Sequence, residues 1–334
     1  KDLIAQCDIV IENYSARVME HWGFDYDSLK AVRPDLIMLR APGFGLSGPW
    51  RERVAYATTI EQACGAAWMT GFEGERPDVA GGALDPIAGT HAAFAALLAL
   101  EHRRVTGEGA LVEVPQFCTG INVFAELAIE HSATGRVLER NGNRSSTVAP
   151  QGAYRVLDQG RAVAGVPTDE WVAISVENDD QWHALCRVIG APDLAADPAL
   201  ATAAGRFAAH DTIDAAITSW TRDRAAADVI EAVCAAGVPA AVFVQNFDLV
   251  NDPDATRRGL YEMVDNPVLG TVPIVGHPVR LSEGPAAMHR RRAPLLGEHN
   301  REILEGLLGL APAEVDQLEA DGVIGQTPFG MTAW

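Results

Sequence analysis

The sequence predicts an α/β protein with a parallel sheet in its first part and a smaller α+β domain after residue 147. Two observations lead to this prediction. Short apolar runs alternate with helical patterns near the start of the chain, and this alternation is typical of parallel sheets. Near Tyr154 the pattern changes to strand patterns followed by three helical ones. We therefore expect domains at 1–147 and 148–240, with 241–334 returning to the larger one.

In the first part, strands are predicted at 8–12 and 36–40, separated by helical segments. A helix is expected at 58–70, and a long one from Pro86 to Arg104, closed by Gly107. That long helix has apolar residues on nearly all sides, which predicts burial against a sheet. A strand at 110–117 and a helix at 120–131 follow, and then a linker-like segment.

The second part has strand patterns at 153–158, 170–176 and 238–244. Helical patterns lie between them at 179–190, 210–223 and 226–237. The region 237–282 alternates short strands and turns, and two amphipathic helices are expected at 296–310 and 312–324. The composition therefore changes from apolar helices to shorter, more polar elements along the chain.

Composition excludes several function classes. The formal net charge is −19 over 334 residues, and such a charge repels a nucleic-acid backbone. No apolar run is long enough to span a membrane, and the first residues do not resemble a signal peptide. The five cysteines form no CxxC pair or Cys/His cluster, which favours a reducing compartment and argues against a metal site. We expect a soluble cytoplasmic protein.

One turn carries a candidate reactive group, Asp85 in the stretch GGALDPIAG at 81–89. Asp at an N-cap followed by Pro at N1 is a favourable helix start worth about 1 kcal/mol. The same geometry would also present a carboxylate between glycines, where a substrate can approach closely. A carboxylate can act as a covalent nucleophile. The residues alone leave both interpretations open.

Four segments in order resemble family III CoA-transferases, the CaiB/BaiF group. They are DIVIENYSARVMEHWGFDYDSLKAVRPDLIMLRAPGFGLSGPW, GGALDPIAGTHAAFAALLALEHRRVTGEGALVEV, AAGVPAAVFVQNFDLVNDPDATRRGLYEMVDNPVLGTVPIVGHPVRLS and RAPLLGEHNREIL. The resemblance covers nearly the whole chain. It implies a Rossmann-like large domain, a small inserted α+β domain and an interlocked homodimer. It also implies that about 80 residues that precede this point in the family, with strands that hold CoA, are absent from the sequence.

The resemblance places Asp85 at the family's catalytic aspartate. This carboxylate would attack an acyl-CoA thioester, and an aspartyl-CoA thioester would then pass CoA to an acceptor carboxylic acid. Backbone N–H groups would have to stabilise the tetrahedral oxyanions. Gly81, Gly82 and the N-terminus of the following helix are suited to that role, although Pro86 has no N–H. The resemblance implies no permanently bound cofactor; coenzyme A and acyl-CoA are substrates.

Five residues match CoA-contacting positions of the family. Asn13 and Tyr14 match a pair that packs against CoA, and Gly43 and Phe44 match the loop beside the CoA thiol. His21 stands where family members often have a basic residue, and it would be largely neutral at pH 7. The alternative interpretation of both Asn13 and Gly43 is that each residue only turns the chain after a strand.

Three alternatives remain. Formyl-transferring members carry a run of glycines where this chain has Ser145 and Ser146, which favours a larger acyl group than formyl or oxalyl. The family's α-methylacyl-CoA racemases need a histidine base where this chain has Tyr56, so a racemase is less favoured. A non-catalytic subunit, or an enzyme completed by another chain, is the third alternative.

Overall fold

The computed structural model describes residues 1–79, 81–145, 147–163, 165–284, 289 and 291–327. Ser146 lies outside these residues. The chain divides into two compact units, Lys1–Gln151 and Gly152–Trp334. Within the described residues, no helix combines the length and the apolar character that crossing a membrane requires.

The first unit contains a parallel sheet in which the strand order is β1-β2-β3. Its strands are β1 (Ile9–Glu12), β2 (Ile37–Arg40) and β3 (Ala110–Glu113). Its helices are α1 (Asp2–Ala5), α2 (Arg17–His21), α3 (Tyr26–Lys30), α4 (Ala57–Ala63), α5 (Ala66–Met69), α6 (Leu84–Thr106), α7 (Gln116–Val123) and α8 (Ala125–Thr134). The predicted parallel sheet is confirmed, and its pairing places Glu12, Arg40 and Glu113 in one row.

Three predicted elements of this unit differ from the structure. The helix expected at 58–70 is broken into α4 and α5 by Gly65, whose φ is +95°. The strand expected at 110–117 ends at Glu113, because Pro115 is the N-cap of α7. The helix expected at 120–131 is likewise two helices, α7 and α8, that meet at Phe124.

Helix α6 is longer than predicted and is buried on only one side. It begins at Leu84 and ends at the left-handed Gly107. Its buried residues are Leu84, Ala88, Ala96 and Ala99, and it contacts β2 and β3. The expected burial against the sheet is confirmed for this face, whereas large apolar residues of the other face, Phe94, Leu97, Leu98 and Val105, are exposed.

The second unit has a three-stranded sheet in the order β4-β7-β8, with β7 antiparallel to β8. Its strands are β4 (Gln151–Arg155), β5 (Ala162–Val163), β6 (Val166–Pro167), β7 (Trp171–Ser175), β8 (Ala240–Val242), β9 (Tyr261–Asn266) and β10 (Gly270–Val275). Its α-helices are α9 (Asp179–Ile189), α10 (Pro192–Ala196), α11 (Ala203–Ala208), α12 (His210–Thr221), α13 (Ala226–Ala235), α14 (Pro253–Arg257) and α15 (Pro312–Ala320). Short 3₁₀ turns lie at Pro198–Leu200 and Leu249–Asn251, and a π-helical segment at Glu302–Leu307.

One apolar core holds this sheet to its helices. Val172 and Ile174 of β7 pack with Trp182 and Leu185 of α9 and with residues of α12 and α13. Each of these four side chains is at most 1% exposed. Outward from this core, β9 and β10 form a separate antiparallel hairpin. The small α+β domain expected at 148–240 and the return of 241–334 to the larger domain both stay predictions.

Candidate active site

The turn that leads into α6 is built from two glycines with left-handed backbone. Gly81 has φ +85° and Gly82 has φ +110°, values that residues with a Cβ rarely adopt. Ala83 then forms the N-cap of α6, and the side chain of Leu84 enters the core beside Ile60 and Cys64. The glycines therefore let the chain reverse sharply just before the residue that carries the candidate nucleophile.

The backbone of this turn is held by Glu61, a residue that the sequence analysis missed. Its Oε1 accepts hydrogen bonds from the N–H groups of Gly82 (2.9 Å) and Ala83 (2.8 Å), and its Oε2 accepts one from Gly81 (3.2 Å). Glu61 is completely buried. A buried carboxylate is costly unless its lone pairs are satisfied, and the three N–H groups satisfy them here.

The expectation that Gly81 and Gly82 donate to an oxyanion is therefore wrong, because their N–H groups already bind Glu61. The next N–H groups along the chain are those of Leu84 and Asp85. Neither makes a hydrogen bond to any residue that the structure describes. They are among the first N–H groups of α6, which have no partner inside a helix, and they lie at its positive end.

Asp85 is the second residue of α6, and its side chain is exposed. The interpretation of Asp85 as the N-cap is wrong, since Ala83 occupies that position. In the described part of the chain, the Asp85 carboxylate has no hydrogen-bond or ion-pair partner. The carboxylate therefore lies at the start of a long helix and is held there by no such contact from the described residues.

The loop with Gly43 and Phe44 lies against α4, the helix that carries Glu61. A Cβ on Gly43 would come within 2.4 Å of the Ala55 Cβ and 3.7 Å of Ile60 Cδ1, so only glycine fits. The Gly43 carbonyl accepts a hydrogen bond from the N–H of Phe117 (2.9 Å) at the start of α7. The ring of Phe44 packs against Phe117 and Trp50, with centroids 5.7 and 5.3 Å away.

A second carboxylate holds the segment with Asn13 and Tyr14. Glu12 ends β1, is buried, and accepts a hydrogen bond from the Tyr14 N–H at 2.8 Å. Its other oxygen pairs with Arg40 Nε at 2.5 Å, and Arg40 Nη2 donates to the Ala16 carbonyl at 2.7 Å. This buried pair thus fixes the chain where it leaves the sheet. Both Asn13 and Tyr14 remain exposed.

A third carboxylate, on Glu113 at the end of β3, accepts a hydrogen bond from the Leu46 N–H at 2.6 Å. Arg51 donates to the Leu46 carbonyl and to Glu20 of α2. The hydrogen bond to Glu20 raises the pKa of Arg51, so the guanidinium keeps its charge. We call Glu12, Glu61 and Glu113 the loop-holding carboxylates, because each accepts backbone N–H groups from an irregular segment.

The structure brings together some predicted residues and leaves others apart. The Phe44 loop and the Asp85 turn both contact α4, through Gly43 beside Ile60 and through Glu61. The Tyr14 segment follows β1, whose last residue Glu12 pairs with Arg40 at the end of β2. His21 ends α2 with an exposed side chain, and it has no hydrogen bond or ion pair among the described residues. A phosphate contact at His21 stays a prediction.

The loop-holding carboxylates had one readable signal in the sequence. Residues 57, 60, 61 and 64 follow the i, i+3, i+4, i+7 spacing of one helix face. Glu61 stands on that face between Ile60 and Cys64, and a charged residue at a core position demands a partner. Glu12 and Glu113 gave no comparable signal, because a charged residue at a strand end is common.

Comparison with known proteins places the chain in a family. The family model "CoA-transferase family III" matches residues 1–300. The chain is 32% identical to succinyl-CoA–D-citramalate CoA-transferase of Chloroflexus aurantiacus, over 97% of this chain and 78% of that protein. It is 28% identical to formyl-CoA:oxalate CoA-transferase of Afipia carboxidovorans, over 98% of this chain and 79% of that one.

A solved structure has the same architecture. The crystal structure of a CaiB/BaiF family protein from Brucella suis superimposes with a TM-score of 0.81 at 29% identity, covering 92% of this chain and 77% of that one. The mixed α/β fold with a parallel sheet is thus shared with a solved family member. The family model and the relatives agree along nearly the whole chain, and the protein therefore belongs to CoA-transferase family III.

Proposed function

We propose that this protein transfers CoA from an acyl-CoA donor to a carboxylic acid, with Asp85 as the covalent nucleophile. The observation that supports the role of Asp85 is its position: an exposed carboxylate at the start of α6 without a hydrogen-bond or ion-pair partner among the described residues. A carboxylate used only to cap the helix would accept a backbone N–H, and at this turn Glu61 does that instead.

The proposed reaction has four acyl exchanges, at the carbonyl carbons of the donor, of Asp85 (twice) and of the acceptor. An Asp85 oxygen attacks the thioester carbonyl, the C–S bond breaks, and CoA leaves as thiolate from a mixed anhydride. The thiolate attacks the Asp85 carbonyl and releases the donor acid, which leaves an aspartyl-CoA thioester. The acceptor carboxylate displaces CoA to form a second anhydride, and the thiolate then attacks the acceptor carbonyl and frees Asp85. Covalent catalysis divides one difficult transfer into easier steps in this way.

Each exchange passes through a tetrahedral oxyanion, which needs hydrogen-bond donors already in place. We propose that the N–H groups of Leu84 and Asp85 supply them, because those of Gly81 and Gly82 bind Glu61. The Gly43–Phe44 loop and the Asn13–Tyr14 segment would line the path of CoA. No metal takes part in this scheme.

The donor is proposed to be larger than formyl-CoA. The relatives that match at 30% identity or more include enzymes named for succinyl-CoA with citramalate or malate as acceptor. In place of the glycine run of formyl-transferring enzymes, this chain has Ser145, whose Oγ lies 3.1 Å from the Thr147 Oγ1 and accepts a hydrogen bond from the Thr147 N–H at 3.2 Å. A succinyl-type donor and a hydroxy-dicarboxylic acceptor therefore form the first pair to test.

The test is to incubate the protein with succinyl-CoA or formyl-CoA plus hydroxylamine, and to measure the mass of the peptide that contains Asp85 by mass spectrometry. A hydroxamate on Asp85 that depends on acyl-CoA, and forms faster with succinyl-CoA, is the expected result. Asp85→Ala should lose CoA transfer by about 10⁴-fold or more, the scale expected for removal of a covalent nucleophile. Asp78→Ala, which removes another exposed carboxylate of the same loop, is the matched control.

Other outcomes favour the alternatives. An unmodified Asp85 peptide with every donor, together with no saturable CoA binding, would contradict the proposal and favour a non-catalytic subunit. Uptake of solvent deuterium at the α-carbon of an acyl-CoA, without any acceptor acid, would favour a racemase. The interlocked homodimer stays a prediction, which light scattering after size-exclusion chromatography tests directly.

A further inference from the structure

The hydrogen-bond acceptors of the Glu61 carboxylate match the donors of the turn before Asp85. Its two oxygens receive three consecutive backbone N–H groups, those of Gly81, Gly82 and Ala83. All three partners are donors, and an ionised carboxylate is a side chain that only accepts. A glutamine would turn an NH₂ group toward one of these N–H groups. The residue type is therefore matched to the turn.

Apolar side chains anchor both ends of this contact. Ile60, the neighbour of Glu61 on α4, and Leu84, the first residue of α6, are both at most 1% exposed and belong to one buried cluster. Gly82 lies against the start of α4, since a Cβ there would be 3.8 Å from the Ala57 Cβ. Glu61 thus connects a rigid packed helix to a turn of glycines that would otherwise be conformationally free.

The same contact also decides which donors Asp85 can meet. With Glu61 present, the N–H groups of 81–83 are occupied, and the Asp85 carboxylate has no hydrogen-bond partner among the described residues. Without Glu61, these donors would be released beside the positive end of a long helix, and Asp85 is the next carboxylate along the chain. A hydrogen bond to backbone N–H groups stabilises a carboxylate and makes it a poorer nucleophile.

We propose that Glu61 is a positioning residue for the reaction: it fixes the turn that presents Asp85 and keeps the carboxylate of Asp85 free to attack. This inference rests on the proposed role of Asp85. Glu61 touches neither donor nor acceptor in this scheme. It acts through the backbone of residues 81–83, so its loss should slow acylation while CoA binding remains.

The experiment compares wild type, Glu61→Gln, Glu61→Ala and the control Asp25→Asn. Asp25 is also a carboxylate that accepts a backbone N–H, from Ser28 at 2.9 Å, but it caps α3. For each protein, the rate of acyl-CoA-dependent hydroxamate formation at Asp85 is measured per folded molecule, with the KM for acyl-CoA. Hydrogen exchange of the peptide that covers residues 81–83 reports whether its N–H groups are still bound.

Glu61→Gln should acylate about 10²-fold more slowly, the effect of a small misplacement of a reacting group, with KM unchanged and faster exchange at 81–83. Glu61→Ala should be slower still, and added formate should restore part of its rate by returning a carboxylate to the cavity. Asp25→Asn should acylate like wild type. If Glu61→Ala does not fold, the glutamine variant decides alone.

Three results would overturn the inference. The first is a wild-type acylation rate in Glu61→Gln, and the second is a rate loss accompanied by an equal loss of CoA binding. The third is the same rate loss in Asp25→Asn, which would show a general effect of stability. Absence of any label on Asp85 in the wild-type protein is distinct from these, because it would overturn the proposed function and this inference with it.

Discussion

Both units bury charged side chains. The contacts of these side chains differ between the first unit and the helical layer of the second. In the first unit, Glu12 and Glu61 accept N–H groups from irregular segments that flank candidate site residues. In the second, Arg206 donates to the Leu200 carbonyl at 3.1 Å and pairs with Asp179 at 3.0 Å. The first kind of contact shapes loops, and the second joins one regular element to another.

Because of this difference, mutations in the two regions should affect activity and stability differently. A change at a loop-holding carboxylate or its partner should alter CoA binding or acylation as well as stability. A change in the core of the second unit should alter stability while each folded molecule keeps its activity. The following predictions test this separation, in order of decreasing expected effect.

The largest effect is expected from Arg40→Ala, because it leaves Glu12 buried without its partner. Removing one member of a buried ion pair costs about 3–5 kcal/mol, measured as the free energy of unfolding in urea. The double variant Glu12→Leu/Arg40→Met should recover most of this stability, since a packed apolar pair often replaces a buried ion pair well. It should still bind CoA weakly, because the Tyr14 N–H has lost its acceptor. If the double variant recovers both the free energy of unfolding and CoA binding, the pair only stabilises the fold.

The next effect is expected from Ile174→Ala in β7, a residue that is 1% exposed in the core of the second unit. Removing this much buried side chain costs about 2–5 kcal/mol in urea unfolding. The rate of Asp85 acylation per folded molecule should equal that of wild type. A fall in that rate larger than the fall in folded fraction would contradict the separation.

A smaller effect is expected from Asn178→Ala at the N-cap of α9. The Asn178 side chain accepts a hydrogen bond from the Gln181 N–H at 3.0 Å, and losing such a cap costs about 1 kcal/mol. Calorimetry should therefore show a slightly lower melting temperature, with CoA binding unchanged. Asn178→Asp, which keeps an acceptor at the cap, is the control and should melt close to wild type.

The smallest effect concerns Cys186, whose thiol we expect to stay unlabelled by an alkylating reagent near neutral pH. Burial raises the pKa of the Cys186 thiol to about 11, so at pH 8 only about one thiol in 10³ is ionised. Iodoacetamide should label the exposed Cys118 and Cys234 and spare Cys186 until the pH approaches 11. Labelling of Cys186 at pH 8 at the rate of Cys234 would show that this core opens readily.

The sequence predicted the strands of the parallel sheet better than it predicted contacts. The strands ending at Glu12 and Arg40 follow from local apolar runs, and both are confirmed. The role of Glu61 depends on a contact with residues about 20 positions away, and no local pattern encodes which turn a helix face meets. The exposed apolar face of α6 is a similar case, since helical periodicity states that a residue is apolar but not what covers it.

The backbone of the Asp85 turn also limits how this protein can be redesigned. Side chains at 81 and 82 would be strained at the observed φ values, and one at 43 would collide with Ala55. These three positions should therefore be left out of a mutant library aimed at new acyl donors. Diversity is better placed at an exposed residue with ordinary backbone angles, such as Tyr56, whose φ is −122°. Selection for a new substrate should then leave the glycines unchanged and collect its substitutions around them.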